Sequence, residues 1–375
     1  ITLLAFALIS AASPNSGTPV LTVQPAGAIL DAPFNVSLTG VPSKARVEIR
    51  ATRRNETGPP WTAIGVCEAN SQGKVDAARL PSLGGTYSGV SPHGLLCSAL
   101  PIEPEKLDDY IAGFASNPRQ DTSFPDPLGR TVVEITASIE GKVVASTSAW
   151  RSYAEGTSGE NVAVTDGWKG VFFPPAKGVK IGVPVLLLAG SGGGVFRYTA
   201  ARLASHGHPT LAFAMFRFPG LPDSLVNYPI EHVRDGAEWL VNRTGTKRVV
   251  VMGVSRGSEA AAHVAVHFPD LFSGAILMVP SHLSDAGALG PNAKTGDSAW
   301  TIGGEPTPVT NLGFTPDDPR VQKQAQTLPG YNASSMVLDK WGSADFETRY
   351  GIPFERVKAP LLVLAAGQDA VWPSW

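Results

Sequence analysis

The sequence is short of the residues that most readily announce chemistry. Only two cysteines, Cys67 and Cys97, occur in 375 residues. They form no Cys-x-x-Cys pair and no Cys/His cluster at zinc spacing, which excludes a zinc module or a disulfide-dense scaffold. One disulfide between them stays open. No apolar run reaches the ~20 residues that a membrane-spanning helix requires. Charge of either sign is scarce: 30 Lys+Arg face 32 Asp+Glu, a net of −2, so bulk electrostatics recruit neither nucleic acid nor acidic lipid. Histidine is rare too, with seven in all: His93, His206, His208, His232, His263, His267 and His282. What is abundant is turn-forming residue, 40 Gly and 32 Pro, set between short apolar runs. That texture favours short strands over helical bundles, and the length favours two domains.

The chain opens at Ile1 on an uncharged apolar stretch that gives way at Ala11-Ala12-Ser13-Pro14. Its length matches the apolar region of a signal peptide, so residues 1–16 are read as a partial leader. Residues 17–153 carry short alternating segments such as Val20–Val23, Phe34–Leu38, Arg46–Thr52 and Thr131–Ile139. Repeated strands without helical periodicity point to a β-sandwich of immunoglobulin-like type. The polar excursion at 101–130 interrupts it, with a short helix expected around Glu105–Phe114. After Tyr153 the texture changes. Ala154–Gly159 reads as a linker, and from Val183 strands alternate with helices to the end of a domain spanning 154–375. The expected strands are Val183–Ala189, Thr210–Phe218, Lys247–Met252, Ala275–Val279 and Pro360–Ala365. Helices are expected at Phe196–Ser205, Ile230–Asn242 and from Gly257 to His267. This order predicts a mostly parallel, doubly wound α/β sheet of the α/β-hydrolase type.

Gly253-Val254-Ser255-Arg256-Gly257 is the only G-x-S-x-G in the chain, and it joins an apolar strand directly to an Ala-rich helix. In such a nucleophile elbow the serine sits in a turn so tight that its neighbours two residues away cannot carry side chains. Ser255 is therefore the candidate nucleophile. An oxyanion hole needs backbone N–H groups from the residue after the serine, Arg256, and from a loop after an earlier strand. Gly190-Ser191-Gly192-Gly193-Gly194 fills that place, with Gly192 and Gly193 as the expected donors and Ser191 and Gly194 as pocket residues. A phosphate-cradling reading of the same loop lacks the Gly-Lys-Ser/Thr ending and an acid at the close of the next strand. The triad acid should follow in chain order, and Gly367-Gln368-Asp369 ends the strand at 360–365, which nominates Asp369. No histidine follows it. The chain order therefore places the base beyond Trp375. His282, past the end of the Ala275–Val279 strand, is the one histidine present that is expected to face the pocket.

Several motifs resemble one family. Gly190 to Gly194 followed by Leu203-Ala204-Ser205-His206-Gly207 is similar to the bile acid-CoA:amino acid N-acyltransferase and acyl-CoA thioesterase family. So are Gly220-Leu221-Pro222, Tyr228-Pro229-Ile230-Glu231 and Gly253 through Glu259. Gly367-Gln368-Asp369 with Trp372-Pro373-Ser374 looks like its acid segment. Leu83 through Gly89 and Gly94-Leu95-Leu96 look like its N-terminal β-sandwich. The resemblance implies acyl transfer through a covalent acyl-enzyme, with Ser or Cys, Asp and His and with no metal or bound cofactor. It also implies that serine at the nucleophile position favours hydrolysis over amino-acid conjugation. The expected partner is a small-molecule acyl thioester or ester. The alternatives are an N-acyltransferase, a carboxylesterase, or a catalytically dead acyl-ligand-binding protein. The leader points to export, and a cytoplasmic location is the alternative.

Overall fold

The computed structural model describes residues 17–54, 60–100, 129–163, 167–287, 296–309 and 348–366. The leader expected at 1–16, the helix expected at 105–114 and Asp369 lie outside them. The chain divides into two compact units, Ile1–Tyr153 and Ala154–Trp375.

The first unit is built from β1 (Val20–Gln24), β2 (Gly27–Ile29), β3 (Asn35–Thr39), β4 (Arg46–Arg53), β5 (Trp61–Glu68), β6 (Val75–Asp76), one short helix α1 (Gly94–Cys97), β7 (Arg130–Ile139) and β8 (Lys142–Ser152). Its strands form a three-stranded sheet, β1-β3-β6, and a five-stranded sheet, β2-β8-β7-β4-β5. Strict alternation drives this arrangement. In β1 only Leu21 and Val23 are buried, and in β4 Val47, Ile49 and Ala51 are. These inward residues join Val36, Leu38, Val133 and Ile135 in a single apolar core shared by both sheets. Both cysteines are free thiols here: Cys67 is fully buried in β5 and Cys97 is exposed at the end of α1.

The second unit carries a seven-stranded sheet in the order β18-β15-β14-β11-β12-β10-β9. Its members are β9 (Glu160–Ala163), β10 (Lys169–Phe173), β11 (Val185–Leu188), β12 (Thr210–Ala214), β14 (Val249–Val254), β15 (Phe272–Met278) and β18 (Leu361–Leu364). The five strands from β18 to β12 run parallel, and β10 and β9 add antiparallel pairings at one edge. Continuous burial of β11 and β12 is what a strand covered on both faces requires. Three helices, α2 (Arg197–Ser205), α3 (Ile230–Thr244) and α4 (Arg256–His267), connect the parallel strands. The helix α3 ends on Gly245 at φ 68, a left-handed cap that glycine adopts freely. A small sheet of β13 (Tyr228–Pro229), β16 (Trp300–Ile302) and β17 (Glu305–Pro306) lies beyond the main one.

The strand expected over 210–218 stops at Ala214. Met215 to Phe218 instead turn out of the sheet, because Arg217 takes a left-handed φ of 48 and donates its N–H to Pro222 O at 2.7 Å. An apolar pattern that continues into a loop cannot reveal that stop.

Burial pushes the Cys67 thiol pKa up, so it is both shielded and protonated. Native protein at neutral pH is therefore expected to take up one equivalent of iodoacetamide at Cys97, with Cys67 reacting only after denaturation. Peptide mapping of the alkylated protein checks this, and rapid native labelling of Cys67 would contradict its placement in the core.

Candidate active site

The strand β14 ends at Val254, and Ser255 follows with φ 53 and ψ −117 before α4 begins. A left-handed φ of this kind costs a non-glycine residue roughly 1–3 kcal/mol. Both sides hold Ser255 there. Its N–H donates to Met278 O at 2.9 Å, and its carbonyl accepts the N–H groups of Ser258 (2.8 Å) and Glu259 (3.2 Å). The flanking glycines are sterically obligatory. A Cβ at Gly253 would collide with the Gly257 carbonyl, and one at Gly257 would lie 2.5 Å from Leu188 O and 2.6 Å from Ala189 O.

The glycine-rich loop comes up beside this turn. A Cβ on Gly190 would stand 2.9 Å from Val254 O and 3.3 Å from Ser255 Cβ. One expectation needs correction. The N–H of Gly193 does not face the elbow, because it closes a turn onto Gly190 O at 3.0 Å, and Gly194 N–H goes to Phe216 O at 2.8 Å. The amide groups of Ser191, Gly192 and Arg256 have no acceptor among the described residues. Gly192 is exposed, and a Cβ there would meet nothing within 4 Å.

Register gives the rest of this edge. Leu188 pairs with both Gly253 and Phe213, so β14, β11 and β12 leave the sheet at the same edge. Met215 lines a cavity of about 810 Å³ together with Leu221, Asp223, Asn227, Tyr228 and His232. On the other side, His282 is half-buried in the segment after β15, and its carbonyl accepts Ile352 N–H at 2.9 Å. Three other histidines of this unit make contacts of their own. His208 Nδ1 is 2.9 Å from Val183 O, and His232 packs edge-on to Tyr228. His263 is closed against Ser284 Oγ at 2.8 Å, and burial pulls its pKa down to about 3, helped by neighbouring His267. Among the described residues no group of three or more His, Cys, Asp or Glu is arranged to hold a metal, and no helix is long and apolar enough to cross a membrane.

Behind the elbow lies a buried charge cluster that the motif reading did not anticipate. The Arg256 guanidinium donates to Glu259 Oε2 (2.8 Å) and to Ala286 O (2.6 Å), and Asp285 Oδ2 is 3.4 Å away. Glu259 Oε1 accepts Asp285 N–H (2.7 Å) and Trp300 Nε1–H (2.8 Å). Only 1% of Glu259 is exposed. Burial works against the Arg256 charge, but Glu259 and Asp285 outweigh it and raise its pKa, so the guanidinium stays charged. The i,i+3 spacing of Arg256 and Glu259 was visible in the sequence as a helical ion pair; Asp285 and Trp300 were not.

Residues 31–163 match a family model described as the acyl-CoA thioester hydrolase/BAAT N-terminal region. Acyl-coenzyme A thioesterase 6 of Mus musculus is 29% identical over 264 residues, covering 69% of this chain and 60% of that protein. The mitochondrial acyl-coenzyme A thioesterase 2 of Homo sapiens is 25% identical over 371 residues, covering 94% of this chain and 68% of its own length. The peroxisomal succinyl-coenzyme A thioesterase of Mus musculus is 26% identical over 363 residues, covering 94% and 78%. The chain thus spans only 60% of the mouse thioesterase 6. Among solved structures, an acetyl xylan esterase from Aspergillus awamori matches at 15% identity over 38% of this chain and 58% of its own, with a TM-score of 0.29. A probable hydrolytic enzyme from Pseudomonas aeruginosa matches at 20% identity over 36% and 44%, with a TM-score of 0.26.

Two outcomes test the buried groups. Glu259→Ala removes the closest carboxylate from a buried guanidinium and leaves Asp285 N–H and Trp300 Nε1–H without their acceptor, and it is expected to lower unfolding free energy by about 3–5 kcal/mol in urea titrations; a loss under 1 kcal/mol would mean that the cluster is not closed. His263 stays neutral in the folded chain down to about pH 3, whereas an unfolded histidine protonates near 6.5. The unfolded state therefore binds the extra proton, and stability present above pH 6.5 is lost as pH falls toward 3. The expected slope is about 1.4 kcal/mol per pH unit, and it should flatten in His263→Gln.

Proposed function

We propose that this chain is a member of the acyl-CoA thioester hydrolase/BAAT family and a serine acyl hydrolase acting on thioesters of coenzyme A. The observation that carries the reading is Ser255 held at φ 53 between β14 and the N-terminus of α4, with the Gly190 loop against it. In this scheme Ser255 Oγ attacks the thioester carbonyl carbon while a histidine takes the hydroxyl proton. The C=O π electrons move to oxygen. The resulting oxyanion is held by Arg256 N–H and by the free amides of Ser191 and Gly192, each such donor being worth roughly 3–4 kcal/mol in the transition state. Collapse expels the thiolate, which receives the proton from histidine, and leaves an acyl-serine. Water, activated by the same histidine, then releases the carboxylic acid. Asp369 orients that histidine and stabilises its charged form.

Position supports the serine and its amide donors. Arg256 follows Ser255 directly and Gly190, the residue before Ser191, lies against it, at the C-terminal edge where the parallel strands all end. The row through Ala365, four positions before Asp369, pairs with the strand beside Ser255. The positive end of the α4 dipole meets the developing negative charge. The cavity lined by Met215 lies where the chain leaves β12 at the same edge of the sheet, and it offers both apolar and hydrogen-bonding surface.

The test is labelling of the protein, with whatever native sequence follows Trp375, by a fluorophosphonate, followed by assays on acyl-CoA, p-nitrophenyl esters and glycine as acyl acceptor. The expected result is labelling at Ser255, thioester turnover above ester turnover, free acid rather than N-acylglycine as product, and a loss of at least about 10³-fold in Ser255→Ala. Ester turnover alone would make the protein a carboxylesterase, and N-acylglycine an acyltransferase. Binding of acyl-CoA by a folded protein that neither labels nor turns over would make it a binding protein.

A further inference from the structure

The strand beside the nucleophile ends in the same unusual way as the nucleophile strand. Ser255 N–H bonds to Met278 O at 2.9 Å, and Val279 N–H bonds to Leu364 O at 2.8 Å. The parallel ladder therefore runs one step past the last paired residues and sets Ser255, Val279 and Ala365 in one row. Val279 has φ 45, beside Ser255 at φ 53. For Ser255 that backbone presents a nucleophile. For Val279 it is the least favourable choice of residue. A β-branched side chain clashes in the left-handed region, where Gly or Asn would sit at little cost. Pro280 follows, and a residue before proline is pressed toward extended backbone, which adds to the conflict.

The turn itself does not call for valine. Val279 redirects the chain into the segment that brings Asp285 and Ala286 to Arg256, and glycine would make that turn more easily. What valine alone supplies is a rigid isopropyl group, half-buried, on the residue paired with the nucleophile. Neighbouring strands lie about 4.8 Å apart, so a side chain on Val279 stands next to Ser255 in this row. Once Ser255 Oγ is bonded to a carbonyl carbon, the acyl α-carbon is two bonds from Oγ, within contact range of that neighbouring side chain.

We propose that Val279 is a specificity-determining residue whose side chain walls the site beside Ser255 and restricts the enzyme to acyl groups unbranched at the carbon next to the carbonyl. This rests on the hydrolase reading above. A second methyl on the acyl α-carbon meets the isopropyl group, whereas a methylene passes it.

The experiment measures kcat/KM of the full native protein and of Val279→Ala and Val279→Gly on butanoyl-CoA and 2-methylbutanoyl-CoA, with melting temperatures and fluorophosphonate labelling alongside. Both variants are expected to label at Ser255 and to raise the branched-to-unbranched kcat/KM ratio by roughly 10–200-fold, the range for one methyl-sized gap in a pocket. Val279→Gly is also expected to melt no lower than the wild type, because relief of the left-handed strain offsets the added chain entropy. A ratio unchanged within about twofold in labelled, folded variants would overturn the role of Val279 and leave the hydrolase reading intact. A wild type that neither labels nor turns over either thioester would overturn the hydrolase reading, and the role of Val279 with it.

Discussion

The steric contact on which the second unit depends is that between β14, α4 and the end of β11. Gly253 lies against the Gly257 carbonyl, and Gly257 lies against the carbonyls of Leu188 and Ala189. Side chains at either position would separate strand from helix. With both absent the chain reverses within one residue, and that residue, Ser255, must accept a left-handed backbone. The same closeness draws the loop at Gly190 up to the serine. One packing constraint therefore fixes the position of the hydroxyl, aims the helix N-terminus and brings the second set of amides into place.

A turn under strain holds its shape only if its surroundings are stiff. The buried Arg256–Glu259 pair supplies that stiffness at a cost in desolvation. Its partners come from three places: α4 itself, the segment after β15 at Asp285 and Ala286, and Trp300 of β16. Through Trp300 the small outer sheet is tied to the first turn of the nucleophile helix. Replacing the pair by apolar residues could preserve stability, but it would not provide these directional bonds, and fixed amides are what lower the cost of forming an oxyanion.

Legibility in the sequence followed the range of the interaction. The elbow was readable because its constraint is local: two glycines flank one serine at the join of a strand and a helix. The buried runs of β11 and β12 were readable because burial on both faces leaves no alternation. The antiparallel strand Lys169–Phe173 was not singled out, since Lys-Gly-Val-Phe-Phe gains its identity only by pairing with β12 and β9. The loop after β11 was recognised as glycine-rich, but which amides stay free depended on Gly193 closing onto Gly190 and Gly194 onto Phe216. Arg256 was read for its backbone alone. Its side-chain partners Asp285 and Ala286 lie far along the sequence, and no spacing rule reaches them.

Positive φ on residues other than glycine is concentrated along one edge of the second unit. Arg217 (φ 48) follows β12, Ser255 (φ 53) follows β14 and Val279 (φ 45) follows β15, with Asn227 (φ 48) closing the loop that lines the cavity. Parallel topology explains why the strain gathers here. Every parallel strand delivers its chain to the same edge, and each must leave it sharply enough for the next helix to return along the sheet. Asparagine tolerates such a backbone, arginine less so, and valine least. A fold that needed only to turn at these points would use glycine, as it does at Gly193, Gly194 and Gly220. Where a side chain is kept despite the strain, the side chain itself has a use. At Ser255 that use is the hydroxyl, at Arg217 it is the Nε–H bond to Asp223 O at 3.1 Å that braces the cavity loop, and at Val279 it is bulk beside the reacting carbon.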